Sequence, residues 1–451
     1  MISIKKNVVL VKKKIVFVGN YWPYVFGGTR IFRVAPILSR LGYEVHVFSM
    51  PLEQKFNSGD ITLYQVPYKG DIFSFYRRIF KKMLGVSQVG SNIGLKDAVL
   101  EKSSKKSKLF EKFLFKVFSL YQEIFGFPDT EKKWKNNLKD ELKSFLEKND
   151  CKEIILVSEY PIISHVVVSE LRKKFNFFWI ADFVDLWSQN HNYPYSYVRK
   201  YFDERLEKKT LQKADYIMTT SEIWADKLRE LHSGKLVYSM PHGFDETLYK
   251  QVDHKPKKSF SADQRDEIKV IYAGRLYPEM QDLSIFFEAL SRMHTAHNNP
   301  LFKVEFYSPD KKEINRLAKF YGLQNSVKVF DTIPRDDLLE KMKISDLLLV
   351  IGVNVNGKIS GSIPSKIYDY IIAKKPILIA GGVAGDEIEN LVNKSELGTI
   401  SLSVKECENY LSSFIDDYKK NSLVQVHPNL EELMKFSQSS QVKRFLSLLP
   451  E

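Results

Sequence analysis

Short apolar runs alternate along most of the chain with stretches whose apolar positions recur at helical spacing. Lys14-Ile-Val-Phe-Val-Gly19 reads as a buried strand, and residues 20–28 as an aromatic loop containing Pro and Gly. Ile31, Val34, Ala35, Leu38 and Leu41 then predict a helix over residues 29–41, ended by Gly42 and followed by a strand at 44–48. Such a β-loop-α-β unit opens a parallel α/β sheet. From Asp71 to about Leu146 the pattern changes to long helical segments. There Phe110, Phe113, Leu114, Val117, Phe118, Tyr121 and Phe125 mark one face, with Lys105, Lys108, Lys112 and Lys116 off it. The alternation resumes with strands predicted at 154–157, 177–182, 215–220 and 236–240 and helices at 164–174, 197–213 and 222–231.

Residues 249–265 are polar, lysine-rich and without hydrophobic periodicity, as expected of a connection between domains. A second series follows, with strands at 268–274, 302–307, 327–330, 347–351 and 377–380. Its helices are predicted at 283–293, 312–321, 335–342 and 365–373, and one last amphipathic helix at 430–449. The pattern predicts two Rossmann-like, doubly wound α/β domains facing each other. Residues 1–243 form the first, with a helical insertion at about 71–150, and residues 244–429 the second. Residues 430–451 are expected to cross back to the first.

Composition narrows this picture. A chain of 451 residues accommodates two domains with separate cores, and 44% hydrophobic with 27% charged residues is ordinary for a globular protein. Cys151 and Cys407 form no disulfide framework and show no metal-ligand spacing, so a reducing, cytoplasmic compartment is expected. Lys12, Lys13 and Lys14 interrupt the apolar start before any cleavage-like site, and no apolar stretch approaches the roughly 20 residues that span a bilayer. Contact with the inner face of a membrane stays open. The net charge of +13 is concentrated: residues 77–136 hold fourteen Lys and Arg against six Asp and Glu. That concentration suits an acidic partner. The stretch that begins at Arg77 and reaches Lys116 reads either as interfacial membrane helices or as core helices with a solvated face.

Candidate chemistry lies where strands end. In Gly361-Ser-Ile-Pro-Ser-Lys-Ile-Tyr-Asp-Tyr370, Ser365 is placed to cap a helix whose first turn carries Lys366 and Asp369. A lysine at a helix N-terminus makes an anion site, and a carboxylate one turn on can accept from a sugar diol. The duller alternative is an exposed pair on a helix face. Gly27 and Gly28 sit between the first strand and helix, where backbone can approach a phosphate, or where a plain turn would serve. Arg275 follows a strand end and suits a diphosphate. Asp182 and Asp185 end another strand as acceptor-binding or acid/base groups, unless Asp185 merely caps the next helix. His165, on a predicted helix, is an acceptor-side candidate or a core histidine. No zinc spacing and no nucleophile elbow occurs.

Together, Leu41-Gly-Tyr-Glu-Val-His-Val47, Asp182-Phe-Val-Asp-Leu-Trp187, Pro241-His-Gly-Phe-Asp245, Tyr272-Ala-Gly-Arg275 and Ile363-Pro-Ser-Lys-Ile-Tyr-Asp-Tyr370 resemble a GT-B glycosyltransferase of the large retaining family 4, in its polysaccharide-assembly form. The resemblance implies that Arg275 and Lys366 neutralise a leaving diphosphate, that Asp369 holds the nucleotide ribose, and that Gly28 offers backbone from the opposite domain. It implies a nucleotide diphosphate sugar, uridine-linked, as donor substrate, with no further cofactor and no metal. The implied partners are that donor and a glycan or lipid-linked acceptor, with no nucleic acid. Three positions depart from the pattern. Gly361 stands where the first Glu of Glu-x-seven-Glu belongs, Asp369 replaces the second, and Met280 replaces a second lysine. Two other classes of function remain: a nucleotide-sugar isomerase of the same fold, and a non-catalytic membrane-associated partner in glycan assembly.

Overall fold

The computed structural model describes residues 13–20, 30–52, 59–68, 120, 123–191, 193, 195–252, 267–297, 301–421 and 424–450. Gly27, Gly28 and the stretch from Arg77 to Lys116 lie outside them, as does the first part of the insertion expected at 71–150. Of the described residues, seven strands form a wholly parallel first sheet in the order β3-β2-β1-β4-β5-β6-β7. They are β1 (Lys14–Val18), β2 (Glu44–Ser49), β3 (Thr62–Gln65), β4 (Ile154–Ser158), β5 (Phe178–Phe183), β6 (Tyr216–Thr219) and β7 (Leu236–Ser239). Helices α1 (Arg30–Arg40), α2 (Lys135–Glu147), α3 (Ile162–Leu171), α4 (Tyr197–Leu211) and α5 (Glu222–Leu231) accompany it. The inner strands carry apolar side chains on both faces because helices cover both, which is why they read as continuous apolar runs.

The second sheet, also parallel, has the order β10-β9-β8-β11-β12-β13. Its strands are β8 (Ile268–Ala273), β9 (Phe302–Tyr307), β10 (Val327–Phe330), β11 (Leu347–Gly352), β12 (Ile377–Gly381) and β13 (Gly398–Ser401). Helices α6 (Glu246–Gln251), α7 (Ser284–His297), α8 (Lys311–Phe320), α9 (Arg335–Lys343), α10 (Lys366–Ala373), α11 (Glu387–Lys394) and α12 (Val404–Asn421) belong to this half. The chain ends in α13 (Leu430–Met434) and α14 (Gln438–Ser447), where one continuous helix is expected from the pattern. The break has a cause. Phe436 carbonyl accepts from Phe244 N–H at 2.9 Å, Gln438 N–H returns to Phe244 carbonyl at 2.9 Å, and Ser437 caps α14. The two crossings between the sheets are thereby tied together, and Val442 and Phe445 of α14 pack with Ile31, Val34 and Leu38 of α1.

In both sheets the strand order reverses beside the first strand, between β1 and β4 and between β8 and β11. Crevices outside such reversal points are where open α/β sheets bind ligands.

Candidate active site

At the second reversal point β8 and β11 pair only through Leu347 with Val270 and Leu348 with Ile271. The hydroxyl of Tyr370 on α10 fills the gap beyond, accepting from Ala273 N–H at 3.0 Å and donating to Leu349 carbonyl at 3.1 Å. This wedge seats the N-terminus of α10 against the end of β8. Lys366 Nζ lies 3.9 Å from the ring centroid of Tyr272, and a Cβ on Gly274 would stand 3.4 Å from it. The ammonium is buried and has no hydrogen-bond partner among the described residues. Burial draws its pKa down to about 7. Arg275 is next along, on a turn fixed by Tyr272 hydroxyl donating to Arg275 carbonyl at 2.7 Å and by Leu276 N–H donating to Asp310 at 2.8 Å. The structure thus brings Arg275 and Lys366 to one crevice.

Ser365 departs from its expected part. Its backbone is already helical and its side chain makes no capping hydrogen bond. Asp369 is buried, and one of its oxygens accepts both Nε (2.9 Å) and Nη2 of Arg335 from α9. The field of Asp369 also reaches Arg33 on α1, whose pKa burial lowers. Arg33 lies 5.6 Å from the ring centroid of Tyr368 and donates to Gly243 carbonyl at 2.6 Å, so one arginine of the first half spans the hinge and α10.

Gly361, in the position of the missing carboxylate, meets the other half of the molecule. Its φ is +72°, and a Cβ would lie 2.7 Å from Trp224 Cδ1 and 2.7 Å from Ile223 Cγ2 on α5. Trp224 Nε1 donates to Ser360 carbonyl at 2.8 Å, Ile223 N–H to Glu387 at 2.9 Å, and Asp386 receives the N–H groups of Ser360 and Gly361.

At the first reversal point stand four ionisable groups, Asp182, Arg30, Glu159 and Asp185. Asp182, near the end of β5, is 2.7 Å from Nε of Arg30, an ion pair by distance although the N–H is not aligned as a hydrogen bond. Arg30 Nη1 donates to Met240 carbonyl. Glu159, directly after β4, is 1% exposed, and among the described residues neither of its oxygens has an aligned hydrogen-bond partner. Burial and the neighbouring Asp182 push its pKa well above the carboxylate range, against Arg30. Burial likewise raises Asp182. Asp185 opens to solvent while protein surrounds it, which raises its carboxyl too, and its charge reaches Tyr277 beside Arg275 on the opposite wall. His165 is not among these groups. Its ring is buried against Phe183, Nδ1 is 2.7 Å from Ser158 Oγ, and burial lowers its pKa to about 3. Among the described residues no group of three or more His, Cys, Asp or Glu is placed to hold a metal ion.

No family model matches the chain, and no curated protein matches it. Solved structures do. A sucrose-phosphate synthase from Thermosynechococcus elongatus is 15% identical, with a TM-score of 0.58 over 97% of this chain and 98% of that one. A trehalose-6-phosphate protein of E. coli, bound with UDP-2-fluoro glucose, is 15% identical, with a TM-score of 0.56 over 97% and 100%. The lipopolysaccharide outer core galactosyltransferase WaaB in its apo form is 13% identical, with a TM-score of 0.53 over 96% and 98%. The chain has the GT-B fold. In this GT-B arrangement Lys366 sits on the second-domain wall and Glu159, Asp182 and Asp185 on the first. One wall is suited to an anion, the other to hydroxyl groups.

Glu159, Arg30, Arg33, Arg335 and Trp224 do not stand out in the sequence. Glu159 obeys the rule that draws attention to Asp182, an acid directly after an apolar strand. The arginines carry no such signal, since Arg33 meets Gly243 across 210 positions.

Proposed function

We infer that the protein is a retaining glycosyltransferase. It moves a sugar from a nucleotide diphosphate donor, uridine-linked, to a hydroxyl of a glycan or lipid-linked acceptor in cell-surface polysaccharide synthesis. The observation that carries this reading is Lys366, a buried ammonium at a helix N-terminus beside Arg275, with no hydrogen-bond partner among the described residues. A diphosphate supplies such a partner. As the bond from anomeric carbon to phosphate oxygen breaks, the acceptor oxygen bonds to that carbon, its proton leaves with the diphosphate, and negative charge grows next to Lys366. Cations already in place where that charge develops usually contribute more to the rate than any other single effect. The fold shared with a protein bound to UDP-2-fluoro glucose and with a named galactosyltransferase supports the donor class. A screen of nucleotide sugars by thermal shift, followed by mass spectrometry of the products, tests it. Transfer undiminished in Lys366→Ala and Arg275→Ala would overturn the assignment.

One observation keeps a second reading. Glu159, Asp182 and Asp185 gather at the cleft edge of the first sheet, as proton-transferring carboxylates of a nucleotide-sugar isomerase would. Incubation of the donor alone separates the two: an altered sugar without acceptor favours the isomerase.

A further inference from the structure

The first two turns of α4 expose an apolar face. Tyr197 is 92% and Val198 68% accessible, and Tyr201 and Phe202 are more than half exposed. Leu120, Ile124 and Phe125 are exposed to the same degree. Hydrogen bonds fasten the segment that carries Ile124 and Phe125 to the start of α4. Arg199 of α4 donates to Glu123 carbonyl at 2.5 Å and to Pro128 carbonyl at 3.0 Å, with its guanidinium 4.8 Å from the ring of Phe127 and 4.6 Å from that of Tyr195. Ser196 hydroxyl donates to the Glu123 carboxylate. Seven large apolar side chains exposed on two segments fastened to each other exceed what single scattered exposures explain.

The rim is cationic. Lys132 Nζ reaches Phe125 carbonyl, and Arg205 lies 5.1 Å from the Tyr201 ring centroid and donates to its hydroxyl at 2.7 Å. The acids of the face are already engaged: Asp203 by Arg199 and Tyr193, Glu204 by Lys208, Glu123 by Ser196. Tyrosines and phenylalanines ringed by lysine and arginine match the boundary between lipid tails and anionic headgroups. A second copy set on this face by two-fold symmetry would bring its cationic rims together. No described helix is long and apolar enough to cross a membrane, so the patch would rest on a bilayer. Because α4 follows β5, its first turns rise from the carboxyl edge of the first sheet, the edge that carries Asp182 and Asp185.

We propose that Leu120, Ile124, Phe125, Tyr197, Val198, Tyr201 and Phe202 form a docking surface for an anionic phospholipid bilayer, oriented so that the cleft rim faces the lipid. The surface is made of other residues than the basic stretch that begins at Arg77, and the proposal does not depend on the reaction. The test is co-sedimentation of the full chain with vesicles of phosphatidylcholine, alone or mixed with phosphatidylglycerol. The comparison is a variant carrying Tyr197→Ser, Val198→Ser, Tyr201→Ser and Phe202→Ser. Binding of the unaltered protein to the mixed vesicles, weakened by salt, and a loss of about tenfold or more in the variant are expected. An unchanged melting temperature confirms that the variant folds, and Lys132→Glu with Arg205→Glu should lose the preference for anionic lipid alone. Equal vesicle binding by both proteins overturns the proposal, as does absence of binding by the unaltered protein. A concentration-dependent dimer that only the variant loses assigns the face to a second copy and overturns it too.

Discussion

Trp224 of the first domain and Gly361 of the second meet with no room for a side chain between them, since a Cβ at 361 would stand 2.7 Å from Trp224 Cδ1. The residue that replaces the resembled family's first glutamate is therefore an inter-domain contact. Gly361→Glu is expected to fail as a restoration of the pattern. Its left-handed backbone and the clash together should cost about 2–4 kcal/mol or force the domains apart. Thermal unfolding and solution scattering check this. An unchanged melting point with an unchanged radius of gyration would show that the contact does not form.

The pKa of Lys366 near 7 makes donor binding and stability depend on pH in opposite ways. Without an anion, the folded ammonium sheds its proton near pH 7 and the unfolded one near pH 10, so the unfolded chain binds more protons between those values. Stability therefore rises with pH across that window, and Lys366→Met should stabilise the unliganded protein below pH 7 by a few kcal/mol. UDP holds the proton on, so its affinity should fall as pH climbs above 7. Calorimetry of UDP binding at pH 6 and pH 9, with denaturant unfolding of both proteins, gives both slopes. Pyrophosphate binding by Lys366→Met as tight as that of the unaltered chain would remove the lysine from the anion site.

Strands buried on both faces are legible in the sequence because nothing interrupts their apolar runs. Edge strands β3 and β13 are not, because Thr-Leu-Tyr-Gln and Gly-Thr-Ile-Ser hold at most two apolar side chains, where the equally short β7 and β10 hold three. Helices α11 and α12 are likewise not predicted from the sequence, although caps and helical spacing mark them. Lys366 and Arg275 are legible because each sits directly at the end of an element. Arg335 is not, since only the packing of α9 on α10 sets it beside Asp369. The dry contact at Gly361 is a matter of volume between domains, which no local pattern encodes.

Glu159 and Asp182 should respond oppositely to replacement by their amides. Burial and its neighbour hold the Glu159 proton on well above the carboxylate range, so the folded state binds a proton that the unfolded chain releases near pH 4.5. Stability is then lost as pH rises from that value towards the folded pKa, and Glu159→Gln should recover at least about 1 kcal/mol at pH 7. Asp182→Asn instead strands the buried Arg30, at a cost of about 3–5 kcal/mol. Urea unfolding of the two variants between pH 5 and pH 8 decides. Equal destabilisation by both would mean that Glu159 is ionised and paired.

Asp369 is engaged through one oxygen by Arg335, and whether its carboxylate also reads a ribose can be separated from its structural work. Arg335 is 38% exposed at its side chain, so water partly screens the pair and Arg335→Ala should cost about 1–2 kcal/mol. Pyrophosphate lacks the ribose and engages only the cations. Asp369→Asn should therefore weaken UDP binding about tenfold while leaving pyrophosphate affinity within a factor of about two, since a carboxylate accepting from a diol contributes roughly one to two charge-assisted hydrogen bonds. Arg335→Lys, which keeps the charge, should preserve the ratio of the two affinities. A parallel fall in both ligands would instead place Asp369 behind the anion site as a support for α10, with the ribose held elsewhere.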